Sequence, residues 1–188
     1  QKRESYELAM YFMARHTSLD CHEKRGRRGY LFMIGDEMPY PRVRPREVAT
    51  VIGDRLLTSI PTGQVVAELE QKYNVYFILP GGTSYAGDQE VLRTWRGLLG
   101  ERVLELGDLD AVCETIALTI GLDEDAVDLD EGLGHLRDVG ADRAAETVGK
   151  ALARYARTVE RRPRGTAAAT ASELLGLPDP DTPGTARR

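Results

Sequence analysis

The sequence predicts an α/β fold: part of a Rossmann-like three-layer sandwich with about three parallel strands, followed by a helical extension. Two observations lead there. Three short apolar runs, at residues 29–35, 74–80 and 102–107, each stop at a glycine or proline, as strands of a buried parallel sheet do. Helical patterns separate consecutive runs, and that alternation is the mark of strand–helix–strand crossovers.

Taken in order, residues 6–14 (YELAMYFMA) are apolar nearly all round and predict a helix buried on several sides. Residues 17–28 are polar and end in the basic cluster Lys24-Arg25-Gly26-Arg27-Arg28. The run that follows, GYLFMIG, is continuously apolar, which predicts a strand buried on both faces. Pro45 then opens a helix at its first turn, where a missing N–H costs nothing. Val48, Val51, Ile52 and Leu56 would share one face of it. Pro61 and Thr62 break and recap the chain, and Val65, Val66 and Leu69 mark a second helix leading to the second strand. Asp88 is placed to cap a helix carrying Val91, Leu92, Trp95, Leu98 and Leu99 on one stripe. The third strand alternates more than the others, which puts it at the sheet edge. Asp108 would cap a further helix with Leu109, Val112, Cys113, Ile116 and Ile120 inward.

Beyond Gly121 an acidic run (Asp123, Glu124, Asp125, Asp128, Asp130, Glu131) reads as a solvated linker or helix start. Two helices joined near Gly140 follow, one with Leu129, Leu133 and Leu136, the other with Val148, Leu152 and Tyr155. From about Arg161 the chain is rich in Ala, Thr and Pro and is expected to be disordered. The organisation is thus a sheet-bearing unit at 1–121, a helical extension at 122–160 and a tail at 161–188.

Composition narrows the class. Thirty acidic against 25 basic residues, a net charge of −5, argues against whole-surface nucleic-acid binding. No apolar run approaches the ~20 residues a membrane helix needs. Cys21 and Cys113 stand far apart and in no Cys-x-x-Cys pair, which argues against a disulfide framework or a cysteine zinc site and suits a reducing, cytoplasmic compartment. His16, His22 and Cys21 share one loop (HTSLDCHE), but their spacing does not converge as metal or nucleophile geometry requires.

Ligands of open parallel sheets bind outside the carboxy ends of the strands. Three loops leave those ends, so Asp36, the turn at residues 81–84 and Asp108 are expected on one rim. Asp36 follows its strand directly and offers a hard carboxylate oxygen, with Thr83 and Ser84 as neighbouring hydroxyls. Glu37, Tyr40, Arg42 and Arg44 line the same connection, and an aromatic beside arginines suits an acidic partner or a phosphate. The same segment also reads as a proline-stiffened, solvated connection. The Pro80-Gly81-Gly82-Thr83-Ser84 turn lacks the glycine spacing and lysine of a phosphate loop.

The order of elements carries a resemblance. ESYELAMYFMARHTS, RGRRGYLFMIGDEMPYP, NVYFILPGGTS, and RVLEL followed by DAVCETIALTIG look like the carboxy-terminal half of a von Willebrand factor A-type domain, as in bacterial proteins of that class. The likeness covers roughly residues 5–121. It implies a binding module rather than an enzyme, with a metal-ion-dependent adhesion site to which Asp36 would contribute the aspartate after the fourth strand. The family's Asp-x-Ser-x-Ser loop does not occur in the chain, and its threonine would lie upstream. Magnesium or another divalent cation is therefore expected only if an upstream half supplies ligands, and the site in this chain reads as incomplete or vestigial. The resemblance also implies a protein partner.

In the family's sheet order the strand at residues 30–34 is central. Without its upstream neighbour it would show an open edge, through which the chain could associate with itself. Two other readings stand beside this one. Phe32-Met33-Ile34-Gly35-Asp36-Glu37 also resembles the Gly-Asp strand end of haloacid dehalogenase-like, magnesium-dependent phosphohydrolases, although their Asp-x-Asp-x-Thr loop is absent from these residues. A structural or oligomerising fragment is the third.

Overall fold

A computed structural model describes residues 2–161. The tail expected to be disordered lies almost entirely outside the described residues. At the amino end, β1 (Arg3–Glu4) leads into α1 (Tyr6–His16) and α2 (Asp20–Arg25), and then β2 (Gly29–Ile34) follows. Two short strands, β3 (Met38–Pro39) and β4 (Arg42–Val43), precede α3 (Pro45–Val51), β5 (Ile60–Pro61) and α4 (Thr62–Leu69). Then come β6 (Tyr73–Pro80), α5 (Gln89–Leu99), β7 (Val103–Leu106), α6 (Val112–Asp123), α7 (Leu129–Asp138) and α8 (Asp142–Glu160).

The expected parallel sheet of three strands is present, in the order β2-β6-β7. Tyr30 pairs with Asn74 and Phe77 with Val103 in its two registers. Both crossovers, through α3–α4 and through α5, pack on one face, with Val48, Val65, Leu69, Val91 and Trp95 against Val75, Phe77 and Leu79. Two crossovers of one hand that step the same way across a sheet must share a face. The other face is covered by α6, α7 and α8, whose Leu122, Leu133, Val148, Leu152 and Tyr155 meet Tyr76, Ile78, Leu104 and Leu106. The helices after residue 121 therefore form the third layer. β7 lies at an edge, as its alternation predicts. Among the described residues no helix is long and apolar enough to cross a membrane.

Four expectations need correction. β2 is not buried on both faces: it pairs only with β6 among the described residues, its side chains are half-buried, and Ile34 is 46% exposed. An edge strand with one neighbour has too little cover to bury a continuous apolar run. The polar stretch after α1 contains α2, a short helix with no buried residue, so its sequence shows no apolar stripe. Val51 turns outward, 70% exposed, because α3 ends there and only Val48 of that helix is buried. In α6 Val112 and Ile116 pack against this core as expected, but the fully buried residues are Thr115, Thr119 and Leu122, while Cys113 and Leu109 are exposed. That helix is apolar on almost every side, so periodicity could not single out its face. The two threonines bury without penalty because each hydroxyl donates to the carbonyl four residues back, Ala111 at 2.8 Å and Thr115 at 2.6 Å.

α1 departs in an informative way. It buries one stripe, Glu7, Met10, Tyr11 and Ala14, at helical spacing. The first member of that stripe is a carboxylate with no exposed surface. Its Oε2 accepts the backbone N–H of Tyr40 at 3.0 Å, and its Oε1 has no partner. Burial pushes the Glu7 carboxyl above its ordinary range. A carboxyl raised on folding costs stability when ionised, and the cost is relieved as pH falls through the folded value. Glu7→Gln keeps an acceptor for Tyr40 and is therefore expected to match or exceed the parent's stability at pH 7–8. That advantage should shrink as pH falls toward the ordinary carboxylate range. Glu7→Ala strands the Tyr40 N–H and should cost about 1–3 kcal/mol. Urea titrations at several pH values test both; a Gln variant less stable at pH 8 than at pH 5, relative to the parent, would refute the account.

Candidate functional site

The strands end together, and the loops that leave them build one rim. Gly35 donates its N–H to the Ile78 carbonyl at 3.1 Å, and Gly81 donates to Leu106 at 2.6 Å, so the three chain exits stay side by side. Two glycines permit this closeness. A Cβ on Gly81 would lie 2.6 Å from the Gly107 carbonyl oxygen, a backbone atom that cannot move aside. A Cβ on Gly35 would fall on the Tyr6 hydroxyl. The Tyr6 ring is held edge-on to Phe77 and Trp95, at 5.6 and 5.4 Å between centroids. Burial, then a hydrogen bond with Glu4, pushes the Tyr6 hydroxyl above the usual tyrosine range.

Asp36, the 81–84 turn and Asp108 share this rim, as the sequence predicts. Asp36 Oδ2 accepts the Tyr85 backbone N–H at 3.3 Å, tying the β2 exit to the loop after β6. The Glu37 carbonyl accepts the Trp95 indole N–H at 2.8 Å, which anchors the same peptide to α5. Thr83 turns its hydroxyl to the Pro80 carbonyl at 3.0 Å, closing its own turn, and Ser84 is exposed. One Asp36 oxygen is thus engaged by backbone and the Thr83 hydroxyl by its own turn, and among the described residues no three side chains of His, Cys, Asp or Glu stand together as metal ligands.

Arg42 and Arg44 are engaged within the chain. Arg42 donates to the Ser59 hydroxyl at 2.8 Å and carbonyl at 2.7 Å, fixing the antiparallel ribbon of β4 with β5. Arg44 pairs with Glu47 at 3.1 Å and stands over the Tyr40 ring at 5.3 Å. Tyr40 lines a recess of about 310 Å³ between β3, α4 and α5, beside Thr62 and Thr94. Of the HTSLDCHE loop, His16 is drawn to Asp54 at 2.7 Å, an oxygen that also accepts the Tyr11 hydroxyl.

A larger cleft was not foreseen. It has a volume of about 780 Å³ and opens over the ends of β6 and β7, beneath the amino-terminal half of α8. Gly81, Gly87 and Gly107 form its floor and lip, and Asp108, Arg143 and Lys150 supply charge. Asp108 accepts the backbone N–H of Asp110 at 3.1 Å and pairs with Arg143 at 2.5 Å. Lys150 pairs with Glu146 at 2.7 Å, which holds the Glu146 carboxyl below its usual range. The sequence signals this cleft only through Asp108 and the start of the 81–84 turn; nothing in it reveals that α8 returns over the rim. No protein-family model, curated protein or solved structure matches the chain.

Proposed function

We propose that the chain is a protein-interaction module of the von Willebrand factor A type that takes its partner at the carboxy rim of the sheet. One observation supports this above the rest: the open cleft of about 780 Å³ lies where parallel sheets place their ligands, outside the strand ends. Its ion pairs, Asp108 with Arg143 and Glu146 with Lys150, are largely solvated on the α8 side. Such pairs hold little energy within the chain, so a partner's charges exchange for them at small cost. Asp36 serves in this reading as an acceptor on the neighbouring part of the rim.

A photo-cross-linking residue in place of Thr147, inside the cleft, is expected to give a discrete protein adduct in cells that express the chain. The same residue at Val139, 77% exposed and outside the cleft, should not. Arg143→Glu with Lys150→Glu should remove the Thr147 adduct while far-UV dichroism stays unchanged. Equal adducts at both positions, or an adduct indifferent to charge reversal, would overturn the proposal.

A further inference from the structure

The edge of β2, unpaired among the described residues, is the other feature of the sheet that calls for a partner, and it lies across the sheet from the cleft over β6 and β7. We infer that two copies of this chain pair through that edge, antiparallel about a two-fold axis at Phe32, so that Arg28 and Arg27 of each copy meet Asp36 and Glu37 of the other.

The backbone selects the register. Gly29 donates to Lys72 and Gly35 to Ile78, so the odd-numbered residues of β2 turn their polar groups toward β6. By the alternation of a strand, Tyr30, Phe32 and Ile34 turn theirs to the open side. An antiparallel neighbour satisfies these groups fully when even residues face even residues. Of the registers that do this, the one with the longest overlap sets Phe32 against Phe32 and Tyr30 against Ile34 on either side, each pair exchanging both hydrogen bonds. Even residues also share one face: Tyr30 and Phe32 pack in the α6–α8 layer, whereas Leu31 and Met33 pack in the α1–α5 layer. Each layer therefore meets its own counterpart across the axis, as a two-fold normal to the sheet requires.

Charge picks this register over its neighbours. Continued outward, it sets Gly29 against Gly35, Arg28 against Asp36, and Arg27 against Glu37, twice by symmetry. Arg28 is exposed and has no ion pair among the described residues, and Arg27 holds only a long, exposed contact with Glu124 at 3.9 Å. A parallel pairing would set arginine against arginine and carboxylate against carboxylate. Nothing in β2 defends the edge, for the strand carries no charge, proline or bulge. Pairing also covers Ile34, nearly half exposed in the single chain. Each β2 edge is consumed by its counterpart, so association stops at two.

Sedimentation equilibrium should show a dimer, with Arg28→Glu weakening it by about tenfold or more because two attractions become repulsions. The exchange of charges, Arg28→Asp with Asp36→Arg, should restore the affinity to within about threefold of the parent, and Ile34→Lys should give monomer. Thermal melts of the variants check that each is folded. A parent chain that is monomeric at about 100 µM, a dimer insensitive to Arg28→Glu, or a charge exchange that fails to rescue would each overturn the inference. The cleft residues Arg143 and Lys150 take no part, so loss of partner binding there and loss of dimer here are separable results.

Discussion

Replacing Trp95 by alanine is expected to lower the unfolding free energy by about 3–5 kcal/mol. A domain of this size holds about 5–15 kcal/mol in all, so the variant should sit at the margin of folding. Trp95 has no exposed surface, stacks on Phe77 at 3.8 Å between ring centroids, and meets Tyr6 edge-on. The same ring joins core to rim, because its indole N–H holds the Glu37 carbonyl. Trp95→Phe separates the two roles. It retains an aromatic ring on Phe77 but orphans that carbonyl, for about 1–3 kcal/mol, and frees the peptide next to Asp36. Amide exchange at Tyr85, whose N–H the Asp36 carboxylate holds, should then accelerate more than exchange within β6. Trp95 is the sole tryptophan, so unfolding of both variants must be followed by far-UV dichroism. A loss below about 1 kcal/mol for the alanine variant would contradict this account of the core.

Trp95 also shows what the sequence reveals and what it hides. Its stripe, with Val91, Leu92 and Leu99, is regular and amphipathic, and α5 is found buried on that side. The central strand β6 is legible for the opposite reason: no polar residue interrupts it from Val75 to Leu79, and it has neighbours on both sides. Legibility fails where side-chain type and burial part company. Glu7 completes the buried stripe of α1 although it is a carboxyl residue, and α6 buries Thr115 and Thr119 more deeply than Val112 and Ile116 beside them. Backbone groups of the folded chain meet both exceptions, the Tyr40 N–H at one of the two Glu7 oxygens and helix carbonyls at the threonines. The rim was legible in part. A parallel sheet brings every strand exit to one end, so Asp36, the 81–84 turn and Asp108 could be grouped without coordinates. The cleft could not, since it depends on α8 returning over β7 from a helix pair that resembles an appendage. Arg42 illustrates the same limit, since its partner Ser59 comes from a ribbon whose pairing no local pattern announces, whereas Arg44 meets Glu47 only three residues on.

At the opposite end of the sheet from the rim, loss of the Asp123 side chain is expected to cost about 2–4 kcal/mol. Tyr76 and Tyr155 are both buried, with hydroxyl oxygens 2.7 Å apart, and both donate to the Asp123 carboxylate. The cluster fastens the end of α6 and the far half of α8 to the central strand, and Phe32 stacks on the Tyr76 ring at 4.7 Å. Asp123→Ala removes a charged acceptor from two buried donors, only one of which can turn to the other tyrosine. Asp123→Asn keeps an oxygen and should cost less. The same cluster governs the alkaline limit. Burial, then the neighbouring Tyr155 and Asp123, pushes the Tyr76 hydroxyl far above the ordinary tyrosine range, and burial with Glu124 does the same to Tyr30. A hydroxyl raised on folding contributes stability that is complete below the unfolded value, about pH 10, and is lost as pH climbs past it. Each such tyrosine steepens the decline by up to about 1.4 kcal/mol per pH unit. Tyr76→Phe should therefore lose stability at pH 8, through its missing hydrogen bonds, yet fall less steeply than the parent between pH 10 and 11.5. Guanidinium titrations across that range decide it: parallel declines in the two proteins would mean that Tyr76 ionises freely in the folded state, and that the carboxylate does not hold it.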